Sequence, residues 1–285
     1  MCAMVSIVIP TYNRRKVISR SIDSCLNQTY RDFEIIISDD HSTDGTIEYV
    51  KEKYADSDKI IFCSSAAGEK GANAARNAGI RAANGEYIAF LDSDDQLTMT
   101  SISDRLAVFE MHPDVDMVYG DVTYDNRLHR FDKMQNYNAR KYLLRELSLC
   151  IFPSIMVRKS VFIDMPLLDI EFRSWQDDDF AVQLMLHNKK MYHCGKVVAR
   201  IHKDNPGITS NYSNLYEGCK RIVNKYAREI ASETSFGRVP AWRLRVLCNW
   251  FRKGTQGRGI TRKVCVIIYV VLNKICSLLF KHIWG

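Results

Sequence analysis

At 285 residues and 46% hydrophobic composition, the chain is long enough to bury one large core with an appendage, and too apolar to be a disordered polymer. Nine cysteines, an odd number with no Cys-x-x-Cys pair, argue against a disulfide framework and for buried thiols in a reducing compartment. The net charge of +7 belongs to the tail: residues 234–285 hold ten Lys or Arg and no Asp or Glu, which leaves residues 1–233 slightly acidic.

The start, Met1-Cys2-Ala3-Met4, runs straight into apolar residues with no basic lead and no small-residue cleavage site, so no export signal is predicted. Val5 to Ile9 predicts a strand stopped by Pro10, and Val17, Ile18, Ile22, Cys25 and Leu26 recur at helical spacing across Arg14 to Gln28. Phe33 to Ile37 predicts a second strand. Ser42, Thr43 and Asp44 are N-cap candidates for a helix carrying Ile47, Val50 and Tyr54. Ile60 to Phe62 follows as a third strand, and a small-residue helix from Gly71 to Ala83 leads into a fourth, Tyr87 to Leu91. Such alternation is the signature of parallel βαβ units. From Tyr119 to Asn211 the pattern is less regular, with a strand-like Ser154 to Val157 and a helix predicted over Asp178 to His187. Beyond Asn214 it is helical and increasingly basic.

Two acidic clusters stand directly after predicted strands: Asp39-Asp40 after the second, Asp92-Ser93-Asp94-Asp95 after the fourth. In an open parallel sheet both would meet at the carboxyl edge, where ligands bind. Crowded like charges need a compensating cation or hydrogen-bond donors. A hard divalent ion, Mg²⁺ or Mn²⁺, would meet that need and bridge a diphosphate. Isolated strand-end aspartates are usually solvated turn formers, but two clusters at matching positions favour a ligand. A third cluster, Asp177-Asp178-Asp179 after Trp175-Gln176, opens a helical pattern, and three acids exceed what a cap needs. One of them could serve as a general base.

The stretches Ser6-Ile7-Val8-Ile9-Pro10-Thr11-Tyr12-Asn13, Ile37-Ser38-Asp39-Asp40-His41-Ser42-Thr43-Asp44-Gly45-Thr46, Gly71-Ala72-Asn73-Ala74-Ala75-Arg76-Asn77-Ala78-Gly79 and Phe90-Leu91-Asp92-Ser93-Asp94-Asp95, in that order, resemble the motifs of family-2 glycosyltransferases. The resemblance covers roughly residues 4–205. It implies an α/β GT-A fold, a Rossmann-like and mainly parallel central sheet flanked by helices. Residues 1–120 would form the nucleotide-sugar-binding half, 121–212 the acceptor-binding and catalytic half, and 213–285 a helical extension.

Residue by residue, the resemblance places Pro10 and Tyr12 at the nucleotide base, Asp40 on the uracil ring NH, and Arg76 near base and phosphates. It places Asp92 on the ribose or metal side of the Asp-x-Asp element, and Asp94 as main metal ligand. Gln176-Asp177 matches the family's acidic pair and makes Asp177 the catalytic base. His202 falls where many members have a histidine touching metal or diphosphate. Met165-Pro166-Leu167-Leu168-Asp169 departs from the family by replacing a Gly-containing turn. The reaction implied is a metal-dependent, inverting displacement from a nucleotide-sugar, with UDP favoured through Asp40, onto a saccharide or lipid-linked saccharide.

In the tail, Trp242, Leu244, Val246, Leu247, Trp250 and Phe251 interleave with Arg243, Arg245, Arg252 and Lys253, before an apolar run from Val264 to Phe280 that contains Lys274. That pattern predicts helices lying on an anionic membrane surface, at the cytoplasmic face, in preference to a nucleic-acid patch. Two rival readings remain. A sugar-phosphate nucleotidylyltransferase would show a glycine-rich, basic phosphate loop where this chain has Pro10-Thr11-Tyr12-Asn13, and an inactive nucleotide-sugar binder would not need carboxylates at all three clusters.

Overall fold

A computed structural model describes residues 3–132, 150–203 and nine positions between 214 and 226. Nine strands form one mixed sheet: β1 (Val5–Thr11), β2 (Phe33–Asp39), β3 (Ile60–Ser64), β4 (Tyr87–Phe90), β5 (Gln96–Leu97), β6 (Met117–Tyr124), β7 (Arg127–His129), β8 (Ile155–Arg158) and β9 (Met191–Ile201). The order is β3-β2-β1-β4-β8-β6-β9-β5, with β7 paired to β6. Strands β1 to β4 pair in parallel, as the alternating pattern predicts. Strand β8 is antiparallel to both β4 and β6, and β9 is parallel to β6. Two reversals restore direction, so β1, β2, β4, β6 and β9 all end at the same edge.

Helices α1 (Ile18–Leu26), α2 (Thr46–Lys53), α3 (Ala72–Ala82), α4 (Ser101–Met111), α5 (Val161–Asp164) and α6 (Gln176–Leu186) connect them. Strands β1 and β2 are buried along their whole length, which is why they read as unbroken apolar runs. The small residues of α3 serve close packing on that sheet. Ala74, Ala75 and Ala78 are buried, and a Cβ on Gly79 would lie 2.4 Å from Val8 Cγ1.

Several sequence expectations are corrected. Strand β1 runs through Pro10 to Thr11: pairing with β4 has already ended at Val8–Phe90, so the missing N–H breaks no ladder bond on that side. The second helix starts at Thr46 behind a left-handed Gly45, φ 78°, and of the three cap candidates only Asp44 receives an amide of its first turn. Ser42 is engaged instead by Asp39, and Asp44 Oδ1 accepts the Thr46 amide at 3.0 Å. Helix α6 begins at Gln176, so all three aspartates fall in its first turn. Strands β5, β6, β7 and β9 were not expected. The pairing of β6 with β9 is interrupted by register shifts around Asp121, where a buried His193–Asp121 contact of 2.9 Å ties the two strands. Among the described residues Cys25, Cys63, Cys150 and Cys194 are free thiols; Cys25 and Cys150 are buried, the other two half-buried.

The described residues divide into two compact units, the first taking in 3–132, 150–171 and 176–203. In the second, the Ser174 hydroxyl donates to the Asn214 carbonyl at 2.6 Å, and Arg221 and Lys225 lie over the Phe172 ring. The basic tail beyond residue 226 lies outside the described residues. Among the described ones no helix is long and apolar enough to cross a membrane.

Candidate active site

The shared carboxyl edge gathers Asp39-Asp40 from β2, Asp92 to Asp95 after β4, Tyr124 at the end of β6 and His202 after β9. The first pair is neutralised by donors. Asp39 is buried and accepts the Ser42 amide and hydroxyl, closing the loop after β2. Asp40 is half-buried and accepts the Ser65 hydroxyl at 3.1 Å and the Gly71 amide at 2.7 Å, one on each oxygen. Each oxygen keeps a second lone pair for a ligand N–H. Pro10 is buried on β1 in register with Ser38 of β2, and Tyr12, the second residue beyond it, is 55% exposed.

The Asp92–Asp95 turn is held by cations and by α1. Ser21 donates its hydroxyl to the carbonyls of Asp92 and Asp95, at 3.1 and 2.8 Å, and Arg20 donates to the carbonyl of Asp94. The three carboxylates separate by environment. Asp92 meets Arg76 at 2.7 Å. Asp94 faces Arg14 at 3.7 Å, and burial together with the Asp92 charge raises its pKa. Asp95 is buried and accepts the His202 amide at 2.9 Å; burial, then Asp92, push it up to about 8.

Arg76 is almost buried, with its guanidinium 3.9 Å above the Phe152 ring. It donates to Asp92, to Gln176 Oε1 at 2.9 Å and to Asn73 Oδ1 at 3.1 Å. Arg76 thus joins α3 and the Asp92 turn to the first residue of α6. The same fork fixes the start of α6, which Phe180 anchors from below by packing against Phe90, Phe152 and Phe162. Within α6, Asp178 and Asp179 are buried and Asp177 is the half-exposed one. The non-glycine turn before it is pinned by α3: Asn77 exchanges two hydrogen bonds with the Leu168 backbone, at 2.8 and 2.9 Å, and Asn73 donates to the Asp169 carbonyl at 2.9 Å.

The His202 imidazole has its Nε2 2.9 Å from Gln96 Oε1. Among the described residues no group of three His, Cys, Asp or Glu is set to hold an ion by itself. Asp92 and Asp94 nonetheless fit Mg²⁺ or Mn²⁺: both are hard oxygen donors, their mutual repulsion rewards a cation, and such ions bind one or two carboxylates with phosphates and water. Arg14, Arg20, Ser21 and Tyr124 were missed in the sequence. Nothing local marks them, because the sheet order brings them in from helices and strands distant along the chain. A cavity of about 800 Å³ opens at the opposite end of β4, lined by Arg81, Glu86, Arg158, Lys159, Phe162 and Leu167. Arg158 and Lys159 there are already bonded to Glu86 and the Ala83 carbonyl, and none of the carboxylates above contributes.

Residues 6–165 match the family described as Glycosyl transferase family 2. An Escherichia coli UDP-Glc:α-D-GlcNAc-diphosphoundecaprenol β-1,3-glucosyltransferase, WfaP, is 43% identical over 107 residues, 38% of this chain and 41% of that protein. A second E. coli enzyme of the same description, WfgD, is 30% identical over 216 residues, 73% of this chain and 80% of that one. The chain thus spans less than half of the first relative and most of the second. Among solved structures, a mannosyltransferase from Pyrobaculum calidifontis in complex with GDP-Man and Mn²⁺ superposes with a TM-score of 0.61 at 14% identity, covering 98% of this chain and 86% of that one. The motifs, the GT-A fold and a family match spanning over half its length agree: the chain belongs to glycosyl transferase family 2.

Proposed function

We propose that the chain is a metal-dependent, inverting glycosyltransferase that moves a sugar from a UDP-sugar to a hydroxyl of a lipid-linked saccharide. The observation that carries this reading is the convergence of Asp40, Asp92, Asp94 and the α6 end bearing Asp177 on one unit, with Arg76 joining Asp92 to Gln176. The UDP-Glc donor and diphosphoundecaprenol acceptor named for the two E. coli relatives support the substrate classes.

Asp40 would accept the base N–H on lone pairs that Ser65 and Gly71 leave open, beside Pro10 and the exposed Tyr12 ring. Asp92, aimed by Arg76, would meet the ribose or the ion, and Asp94 would be the principal ligand, while His202 serves through its amide on Asp95. A Mg²⁺ or Mn²⁺ ion held there supplies neutralisation of the charge that builds on the leaving diphosphate. Asp177 would take the proton from the acceptor hydroxyl as its oxygen bonds to the anomeric carbon. The bond from that carbon to the diphosphate oxygen breaks with its electron pair, inverting the configuration. The basic, tryptophan-containing tail supports docking at the cytoplasmic membrane face, where such an acceptor is presented.

The test is release of nucleoside diphosphate from a panel of nucleotide sugars, with Mn²⁺, Mg²⁺ or EDTA and membrane lipid extract as acceptor. Metal-dependent release from one donor is expected. Asp94→Ala should abolish it, and Asp177→Asn should lower turnover by roughly a hundredfold or more while UDP still binds. Full turnover in Asp177→Asn would remove the base assignment. Donor binding with no release under any condition would favour the inactive binder.

A further inference from the structure

Tyr124 closes β6 at the edge where Asp92 and Asp177 act, yet no motif of the donor site includes it. Its place is fixed on three sides. It pairs with Ile201, the residue before His202, and with Arg127 across the β6–β7 turn. That turn is made by Asp125 and Asn126 alone, both left-handed at φ 46° and 67°, and the Asp125 amide donates to the Ile201 carbonyl at 3.2 Å. The tyrosine ring stands edge-to-face with His129, centroids 5.5 Å apart, with the Lys203 ammonium 5.1 Å from its centroid.

Held in this way, the phenol lies in the field of the site carboxylates. Burial, then the charges of Asp177, Asp95 and Asp92 in that order, push it up to about 12. Asp177 is thus the charge it feels most, and the phenol stays protonated at neutral pH. Its hydroxyl makes no hydrogen bond among the described residues. A protonated donor beside an acidic edge suits a neutral, hydroxyl-rich ligand: it can donate to a sugar oxygen without adding charge near the base.

We propose that Tyr124 is an acceptor-binding residue, its phenol donating to a hydroxyl of the acceptor saccharide next to the one that Asp177 deprotonates. The β6–β7 hairpin is then the wall against which the acceptor sugar lies, with His129 and Lys203 fixing the ring. This rests on the transferase reading above and on Asp177 as the base.

The experiment compares Tyr124→Phe and Tyr124→Leu with the full-length wild-type chain, using the donor that the panel selects and, as probe, N-acetylglucosamine diphosphate on a short alkyl chain. UDP affinity is measured by calorimetry on the same proteins. Tyr124→Phe should raise the acceptor KM by about three- to tenfold, the weight of one neutral hydrogen bond, with UDP affinity held. Tyr124→Leu, which also removes the ring, should raise KM further. An unmoved acceptor KM with kcat alone reduced would overturn the assignment, and so would weakened UDP binding, which would place Tyr124 with the donor. A wild-type chain that cleaves the donor but ignores the probe would overturn the saccharide class named here. A wild-type chain that cleaves no donor fails one step earlier, at the transferase reading.

Discussion

Replacing Arg76 by Met removes the one side chain that ties α3, the Asp92 turn and the start of α6 together. Methionine fills much of the volume over Phe152, so the loss is mainly polar. Gln176 Oε1 and Asn73 Oδ1, which accept at 2.9 and 3.1 Å, lose a charged donor in a buried setting, at about 1–3 kcal/mol for each acceptor left unsatisfied. Asp92 loses its cation at 2.7 Å, but its carboxylate is 36% exposed, so solvent screens this part to about 1 kcal/mol. The expected destabilisation is roughly 3–7 kcal/mol, a large share of the ~5–15 kcal/mol that holds such a domain together. In urea unfolding the midpoint should fall by about 1–2 M at unchanged slope. Arg76→Lys keeps the charge but cannot fork to three acceptors, and should recover no more than about half. A midpoint for Arg76→Met within error of wild type would refute the idea that the fork carries the junction.

Other consequences follow from the same packing and charges. Gly79→Ala puts a methyl 2.4 Å from Val8 Cγ1, and overpacking α3 on β1 should cost about 1–3 kcal/mol in chemical denaturation; equal stability would mean that α3 slides freely. Asp94 and Asp95 have folded pKa values raised by burial and by Asp92, Asp95 to about 8, so the folded state keeps protons that the unfolded chain releases near pH 4. Their stabilising effect is complete below about pH 4 and is lost as pH rises toward about 8. In EDTA the melting temperature should therefore fall from about pH 4 to about pH 8 and level off above, and Mn²⁺ should restore it most at the upper end; a Mn²⁺ effect independent of pH would contradict this.

The first 120 residues were largely legible because their signals are local. Apolar runs marked β1, β2 and β4, and the acids that follow them fell where a parallel sheet must bring them together. Pro10 misled because a proline reads as a strand stop, whereas only the partner strand's length decides whether its missing N–H matters. The strands after residue 120 were opaque. Strand β9 pairs with β6 across about seventy residues, through a bulge at Asp121 and a left-handed Gly195, and such long-range registry leaves no periodic trace. Arg76 shows the other limit: its fork to Asp92, Gln176 and Asn73 appears only once α3 and α6 are packed.

The run Asp92-Ser93-Asp94-Asp95 shows how one short acidic turn can divide its labour. Three carboxylates within four residues repel one another, and burial with the Asp92 charge raises the pKa values of Asp94 and Asp95. Asp92 takes the single strong cation, Arg76, and stays part-exposed toward ligands. Asp95 turns inward and accepts the His202 amide, which ties the end of β9 to the turn. Asp94 is left with the most distant compensation, Arg14 at 3.7 Å, although it is the less exposed of the Asp92–Asp94 pair. Asp94, in the middle of the turn, keeps a charge that burial and Asp92 disfavour, and a divalent ion with its phosphates would relieve that repulsion.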